Sequence, residues 1–360
     1  MMDDKIHLQD YLKSLGSEVY PYGNVSHGFR DILSYIAGPS EIRPPNIVMP
    51  SFVPAKLFRA VSAAGYIPKF YDIKEECRFD ADEIGKLVDE KTTAIFVIHY
   101  FGHPADIRSL KKIAVRKNVK LIEDCAHVLI GTTDGERLGS FGDFTIFSPR
   151  KMLQLPNGGF LVSRNPLQNF VPSYDRRAAT IRSSSTFVGT RAKRLYFKMC
   201  RSRDPLHLAR LPRIGEFDPT KNAHLSVKRM SQVTSAYSKV VNIRKISEMR
   251  RHNYFRLLEG LKGLKSVNPL YHDAPDEWEP YSFPMIVRAG ERKALQEMLL
   301  GAGISCRTGW PESPFVDGLP GTTFLSEHLI ELPVHPLILS SQLDRMVETC
   351  NEYERQSLRK

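Results

Sequence analysis

Ser148-Pro149-Arg150-Lys151 follows an apolar run at Phe144–Phe147 and leads into the turn Asn157-Gly158-Gly159. Upstream, Leu121–His127 reads Leu-Ile-Glu-Asp-Cys-Ala-His, so Asp124 ends a second apolar run and His127 comes three residues later. A lysine that can form a Schiff base, a carboxylate that can keep a pyridine nitrogen protonated and a hydroxyl that can bind phosphate are the groups a pyridoxal phosphate site needs. Each is ordinary alone. Lys151 beside Arg150 also reads as a surface lysine, and Glu123-Asp124 also reads as the cap of a following helix. Burial behind the Phe144–Phe147 strand would lower the lysine's pKa and make its amine a better nucleophile.

Other chemistries compete for the same residues. Ser148 and Lys151 match S-x-x-K, and Arg307-Thr308-Gly309 resembles the K-T-G element that accompanies it in β-lactamases. That reading fails because the serine follows a strand, no S-D-N lies at a sensible distance, and Leu155-Pro156-Asn157-Gly158-Gly159 would break the long helix it requires. His99 and His103 have helical metal-pair spacing, but Gly102 and Pro104 break any helix there, so no metal site is expected. Cys125 reads as a small buried residue rather than a nucleophile. Neither G-x-G-x-x-G nor G-x-x-x-x-G-K-[ST] occurs, which removes the signatures of a dinucleotide fold and a P-loop.

The elements that would position these groups follow a rhythm. Strands are expected at 46–49, 67–71, 93–98 and 119–122, with helices between them at 56–64, 81–88 and 107–116. This alternation predicts an α/β fold with a mostly parallel sheet covered by helices. Ligands in such sheets sit beyond the carboxyl ends of the strands, where Asp124, His99 and Pro50-Ser51-Phe52 fall. Tyr20-Pro21-Tyr22-Gly23 reads as a turn, and Ser26–Leu33 begins a helix whose Gly28 would let backbone N–H groups approach an anion. One long helix is expected over 230–261, then a strand at 281–287 and helices at 291–300 and 341–353. The domain boundary is placed at 244/245, with a large domain 1–244 and a small C-terminal α+β domain 245–360.

At 360 residues, with 42% hydrophobic and 25% charged residues, the composition is that of a soluble globular protein large enough for two domains. No secretory leader is expected at Met1–Lys5, and no apolar run approaches the roughly 18 residues a membrane span needs. Five scattered cysteines without a C-x-x-C pair suit a reducing cytoplasm. The net charge is +11, and 165–230 alone carries 14 Lys or Arg against 4 acids. Such a segment attracts phosphates or other polyanions, or is a solvated face.

Taken in order, a series of segments resembles the DegT/StrS-type sugar aminotransferases, pyridoxal phosphate enzymes of fold type I. The series is Val48-Met49-Pro50-Ser51-Phe52, Gly65–Asp72, His99-Tyr100-Phe101-Gly102-His103-Pro104-Ala105-Asp106, Ile122–His127, Gly139–Asp143, Phe147-Ser148 to Lys151 with Gly158-Gly159, then Gly303-Ile304 and Glu331–Pro336. The resemblance implies a Schiff-base role for Lys151 and a pyridinium partner in Asp124. It also implies that His127 lies near the ring and that Ser148 is a phosphate ligand. Tyr100, Arg307 and Lys228 become candidate substrate contacts. The implied reaction moves an amine from an amino acid, Glu or Gln, to a keto-sugar, free or nucleotide-linked, in polysaccharide or secondary-metabolite biosynthesis. The implied state is a cytoplasmic homodimer that does not act on nucleic acid.

Departures from the family pattern are specific. Its Ser-Gly-Thr phosphate turn is matched to His27-Gly28-Phe29-Arg30, which makes Gly28, Phe29 and Arg30 the expected phosphate contacts. Pro54 replaces a stacking aromatic, leaving Phe52 or His127 to cover the ring. Val227-Lys228-Arg229 stands where relatives carry Asn-Tyr-Arg, and Ile146 stands where a serine usually precedes the lysine by five. Two alternatives remain open at this level: another reaction on the same fold, such as dehydration, or a cofactor-binding regulatory or nucleic-acid-binding protein.

Overall fold

The computed structural model describes residues 5–38, 44–153, 155, 157–174, 229–272, 278–288, 292–311, 313 and 317–358. Lys228 and most of the basic 165–230 segment lie outside them.

The strands of the larger sheet are β1 (Glu18–Tyr22), β2 (Asn46–Pro50), β3 (Ile67–Tyr71), β4 (Thr92–Ile98), β5 (Lys120–Cys125), β8 (Phe144–Phe147) and β9 (Gly159–Ser163). A short hairpin, β6 (Thr132–Thr133) and β7 (Glu136–Arg137), falls between β5 and β8. The spatial order is β1-β9-β8-β5-β4-β2-β3. The run from β8 to β3 is parallel, while β9 and β1 join antiparallel. Helices α1 (Leu8–Lys13), α2 (Val25–Ala37), α3 (Ala55–Ala63), α4 (Ala81–Leu87), α5 (Ile107–Lys117) and the single turn α6 (Pro149–Leu153) accompany it. The central strands β2 and β8 are buried at every residue, as expected where helices cover both faces.

Two elements differ from expectation. Glu18–Tyr22 is an edge strand rather than a turn, paired residue by residue with β9 from Glu18↔Ser163 to Tyr22↔Gly159. An edge position tolerates Pro21, whose missing N–H would break a central strand. The expected helix over 230–261 is two helices, α7 (Gln232–Val240) and α8 (Ile243–Gly260). Asn242 separates them: its Oδ1 accepts from the N–H groups of Arg244 and Lys245, and Ile243 N–H donates to Ile6 O. An asparagine that caps a new helix start stops the old one.

C-terminal to α8, the antiparallel sheet β10 (Val267–Pro269), β11 (Ser282–Val287) and β12 (Leu329–Pro333) packs with α8, α9 (Arg292–Gly301), α10 (Pro320–His328) and α11 (Ser340–Ser357). Polar contacts fasten this C-terminal unit to the loops of the large sheet. Asp72 accepts from Gly321 N, Thr322 N and Thr322 Oγ1. Ser313 Oγ lies between Val53 N and Val53 O at 3.3 and 3.1 Å. Glu279 Oε2 accepts from Leu129 N and Ile130 N at 3.0 and 3.2 Å. Gly102, at φ +90°, brings its backbone so close to the Glu279 carbonyl that no Cβ would fit. Among the described residues, no helix is long and apolar enough to cross a membrane.

Candidate active site

β5 ends on three consecutive buried residues with separate duties. Glu123 points its carboxylate at the 139–142 loop, accepting from Gly139 N, Phe141 N and Gly142 N at 2.6, 3.1 and 2.9 Å. His99 Nδ1 accepts from Ala105 N, so its Nε2 carries the proton and donates to Glu123 Oε1 at 3.0 Å. Cys125 completes a group with His99 and Glu123 that has metal-ligand proximity. Both histidine nitrogens and both carboxylate oxygens there are already engaged with protein, and burial pushes the Cys125 thiol well up. This cluster braces the end of β5.

Asp124 projects into a partly open cleft. Three segments following strands of the large sheet and two helix starts build its walls. Asn24, Val25 and Ser26 open α2; Pro54, Lys56 and Leu57 open α3; Ile98, Asp124, Ala126 and His127 end β4 and β5; Arg150 and Lys151 lie on α6; Trp310 closes one side. Asp124 Oδ1 accepts from Ala126 N at 2.7 Å. Burial raises the Asp124 pKa to about 6, against the pull of the Lys151 charge. Burial lowers Lys151 to about 8, with Asp124 opposing and Arg150 and Arg307 assisting. The acid and the amine thus approach each other in affinity for a proton, a pattern typical of functional sites.

His127 is fixed as a neutral ring. Its Nδ1 accepts from Phe101 N at 3.2 Å, which leaves the proton on Nε2, and burial holds its pKa well below the usual histidine range. The imidazole lies flat on Tyr281, with centroids 4.1 Å apart and planes 4° from parallel. Trp310 lies nearly parallel to it at 6.0 Å. Lys151 Nζ sits 5.9 Å from the Tyr281 ring centre, and the Arg307 guanidinium 5.2 Å from it. Arg307 is joined to β12 through a two-way backbone bridge with Glu331.

The residues expected at the phosphate face away from the cleft. Gly28 packs against the Tyr22 ring, which a Cβ would approach to 3.1 Å. Phe29 packs at a tilt against Phe96 in the core, with centroids 4.6 Å apart. Arg30 turns away to Asp31 and Ser173. None of the three lines the cleft. Asn24-Val25-Ser26 takes that place: Asn24 Oδ1 accepts from Ser26 N and Ser26 Oγ, setting the first turn of α2. Ser26 thereby puts a hydroxyl on the cleft wall.

Gly158 N–H donates to Gly23 O at 2.9 Å, and Gly159 lies so close that a Cβ would come within 2.5 Å of Val25 N. The Gly-Gly turn thus seats the start of α2 against β9. Phe52 is also displaced from its expected role. It is fully buried behind Trp310, ring to ring at 4.8 Å, and Tyr100 donates its hydroxyl to the Phe52 carbonyl. Tyr100 accordingly supports the wall rather than lining it.

Trp310, Tyr281, Asn24 and Ser26 were not identified from sequence. Trp310 is one of only two tryptophans and sits between Gly309 and Pro311, a signal that could have been used.

Pyridoxal phosphate fits this set of residues. Ser148 Oγ is buried without a hydrogen-bond partner, an uncompensated polar atom beside the lysine. The α2 start lines the cleft with Ser26, whose hydroxyl can rotate from Asn24 Oδ1 toward a phosphate. Asp124 has an oxygen not used by Ala126, and Lys151 has the depressed pKa of an amine nucleophile.

Residues 40–351 match the model of the DegT/DnrJ/EryC1/StrS aminotransferase family. The chain is 27% identical over 124 residues to GDP-perosamine synthase of Vibrio cholerae, a stretch covering 34% of each protein. The match to that curated relative thus spans about a third of its length. It is 24% identical over 326 residues, 85% of this chain and 78% of the other, to dTDP-3-amino-3,6-dideoxy-alpha-D-galactopyranose transaminase of Aneurinibacillus thermoaerophilus. Its fold superposes on Helicobacter pylori PseC, an aminotransferase involved in the biosynthesis of pseudoaminic acid. That likeness has a TM-score of 0.71 and 16% identity, covering 97% of this chain and 90% of that one.

Proposed function

Because the chain belongs to the DegT/DnrJ/EryC1/StrS aminotransferase family, we propose that it is a pyridoxal phosphate-dependent aminotransferase. It would carry an amino group from an amino acid, Glu or Gln, to a nucleotide-linked keto-sugar, and act in the cytoplasm as a homodimer. The observation that carries this reading is the pairing of Asp124 with Lys151 in one buried cleft, each pushed toward the other's proton affinity.

When bound, pyridoxal phosphate supplies an aldehyde for amine condensation and a ring that withdraws electrons. The residues of the chain do the rest. Lys151 would hold the cofactor through its amine and would carry a proton to or from the carbon that bears the substrate amine. Asp124 keeps the ring nitrogen protonated. His127 presents its Nε2–H from a ring locked by Phe101 and Tyr281. Ser148 would donate its unpartnered hydroxyl to the phosphate, and Ser26 would join it by turning its hydroxyl from Asn24. Trp310 and Leu57 exclude water from the apolar side.

Absorbance spectroscopy tests the reading. Protein incubated with pyridoxal phosphate is expected to develop the visible band of a lysine adduct. Lys151→Ala should lose it, and glutamate should shift it in the parent protein. A protein that gives no such band, but binds DNA in a salt-sensitive way, would instead be a nucleic-acid-binding relative.

A further inference from the structure

Among the described residues lining the cleft, only His127 and Trp310 carry aromatic rings; the other apolar lining, Val25, Pro54, Leu57, Ile98 and Ala126, is aliphatic. His127 has its tasks already. One face lies on Tyr281 at 4.1 Å, and its Nδ1 holds the Phe101 amide, so it offers the cleft a polar edge. Trp310 is placed differently. Phe52 and Tyr100 meet its ring at 4.8 and 5.9 Å, inclined by 63° and 56°, yet the residue is only half-buried and lines the cleft. An indole left half open in a cleft forgoes burial that a flat ligand would restore.

The backbone on both sides holds that indole in place. Gly309, at φ +68°, turns the chain just before it, and a Cβ there would come within 2.9 Å of Leu329 and 3.0 Å of Phe52. Beyond it, Ser313 N–H donates to Trp310 O at 3.0 Å, and Ser313 Oγ lies between Val53 N and Val53 O. The Trp310 plane is 12° from that of His127, which is 4° from that of Tyr281. A flat group aligned with these rings is therefore aligned with the indole as well.

We propose that Trp310 covers one face of the cofactor's pyridine ring, so that the C-terminal unit closes over a ring whose other partners, Lys151 and Asp124, come from the large sheet. The inference rests on the aminotransferase reading and gives that site one more residue. Asp124 keeps the ring nitrogen protonated, which makes the ring a cation. Among aromatic side chains, indole has the face best suited to a cation. Trp310 thus favours the same charged form of the ring that Asp124 does, from a different direction and without a charge of its own.

The test is calorimetric titration of cofactor-free protein with pyridoxamine phosphate and with phosphate-free pyridoxamine, neither of which can condense with Lys151. Trp310→Leu keeps an apolar side chain but has no aromatic face, and should weaken both ligands by the same factor, roughly tenfold. Trp310→Phe should keep most of the affinity, and its melting temperature without cofactor should stay close to that of the wild type. Equal affinities in all three proteins would overturn the proposal. So would a loss confined to the phosphorylated ligand, which would place Trp310 at the phosphate. A raised KM for the keto acceptor with both affinities unchanged would give Trp310 to the substrate and overturn it too. Absence of the lysine adduct band in wild type with pyridoxal phosphate would instead overturn the aminotransferase reading itself, so the two failures are distinct.

Discussion

Arg250, on α8 of the C-terminal unit, donates to the carbonyl of Met152, the residue immediately after Lys151, at 3.0 Å. The same guanidinium donates to Pro280 O and Tyr281 O at 3.3 and 2.9 Å and faces the Glu279 carboxylate at 3.9 Å. Glu279 in turn holds the amides of Leu129 and Ile130, just past His127. One buried ion pair therefore reaches the backbone beside the lysine, the ring that His127 stacks on and the loop that carries His127.

Replacing Arg250 by Met should cost about 3–5 kcal/mol of stability, because it strands a buried carboxylate and three carbonyls. Chemical denaturation measures it. Arg250→Lys keeps the charge but not the fork, and should recover only part. A loss under 1 kcal/mol in Arg250→Met would mean that water already satisfies these groups.

Asp124→Asn removes the anion that props up the Lys151 pKa. The midpoint for amine reactivity, about 8 in the parent, should therefore move to lower pH. Lys151 must lose its proton to react, so adduct formation rises as pH passes upward through that midpoint in both proteins, earlier in the variant. Turnover should nevertheless fall by roughly two to four orders of magnitude, since asparagine cannot hold the ring nitrogen protonated. A pH profile of adduct formation, with steady-state rates beside it, reads both effects.

Ser148→Ala separates cofactor binding from folding. Its Oγ has no partner in the protein, so its removal should leave the melting temperature of the cofactor-free protein unchanged or slightly raised. Affinity for pyridoxal phosphate should drop roughly ten- to a hundredfold, the range for a hydrogen bond to a charged group. Affinity for pyridoxal should hold. Equal losses for both ligands would remove Ser148 from the phosphate cradle.

Gly159→Ala tests how tightly β9 seats the helix that begins at Asn24. The added methyl would meet Val25 N at 2.5 Å, against backbone rather than a yielding side chain. A stability loss of about 1–3 kcal/mol is expected from overpacking, together with weakened cofactor binding as the α2 start shifts. Thermal melts with and without pyridoxal phosphate distinguish the two components.

The β/α alternation, Asp124 and Lys151 were legible because periodic burial and local spacing record them directly. That Gly28 faces the Tyr22 ring rather than the cleft was not legible, because a glycine at a helix start reads alike whether it meets an anion or a side chain. Tyr281 and Glu279 lie some 150 positions from the residues they stack on and bind, and nothing in their own neighbourhood reports such partners. The break between α7 and α8 was hidden because apolar spacing continues across it, and only the capping side chain of Asn242 resets the register. Phe52 had the right chemistry to cover a ring, but Trp310 stands in front of it.

The contacts at Asp72, Val53, Gly102 and Leu129 bind the C-terminal unit to the large sheet at separate points, three through directed hydrogen bonds and one through backbone contact. A hinge between the two would have to break them together, exposing the Glu279 carboxylate and its paired guanidinium as it opened. Opening along that seam is therefore costly, and the width of the cleft is expected to change little from one turnover to the next. Traffic into it falls to side chains at the mouth, and an enzyme of this build should select its substrates by fit to a standing shape rather than by closing around them.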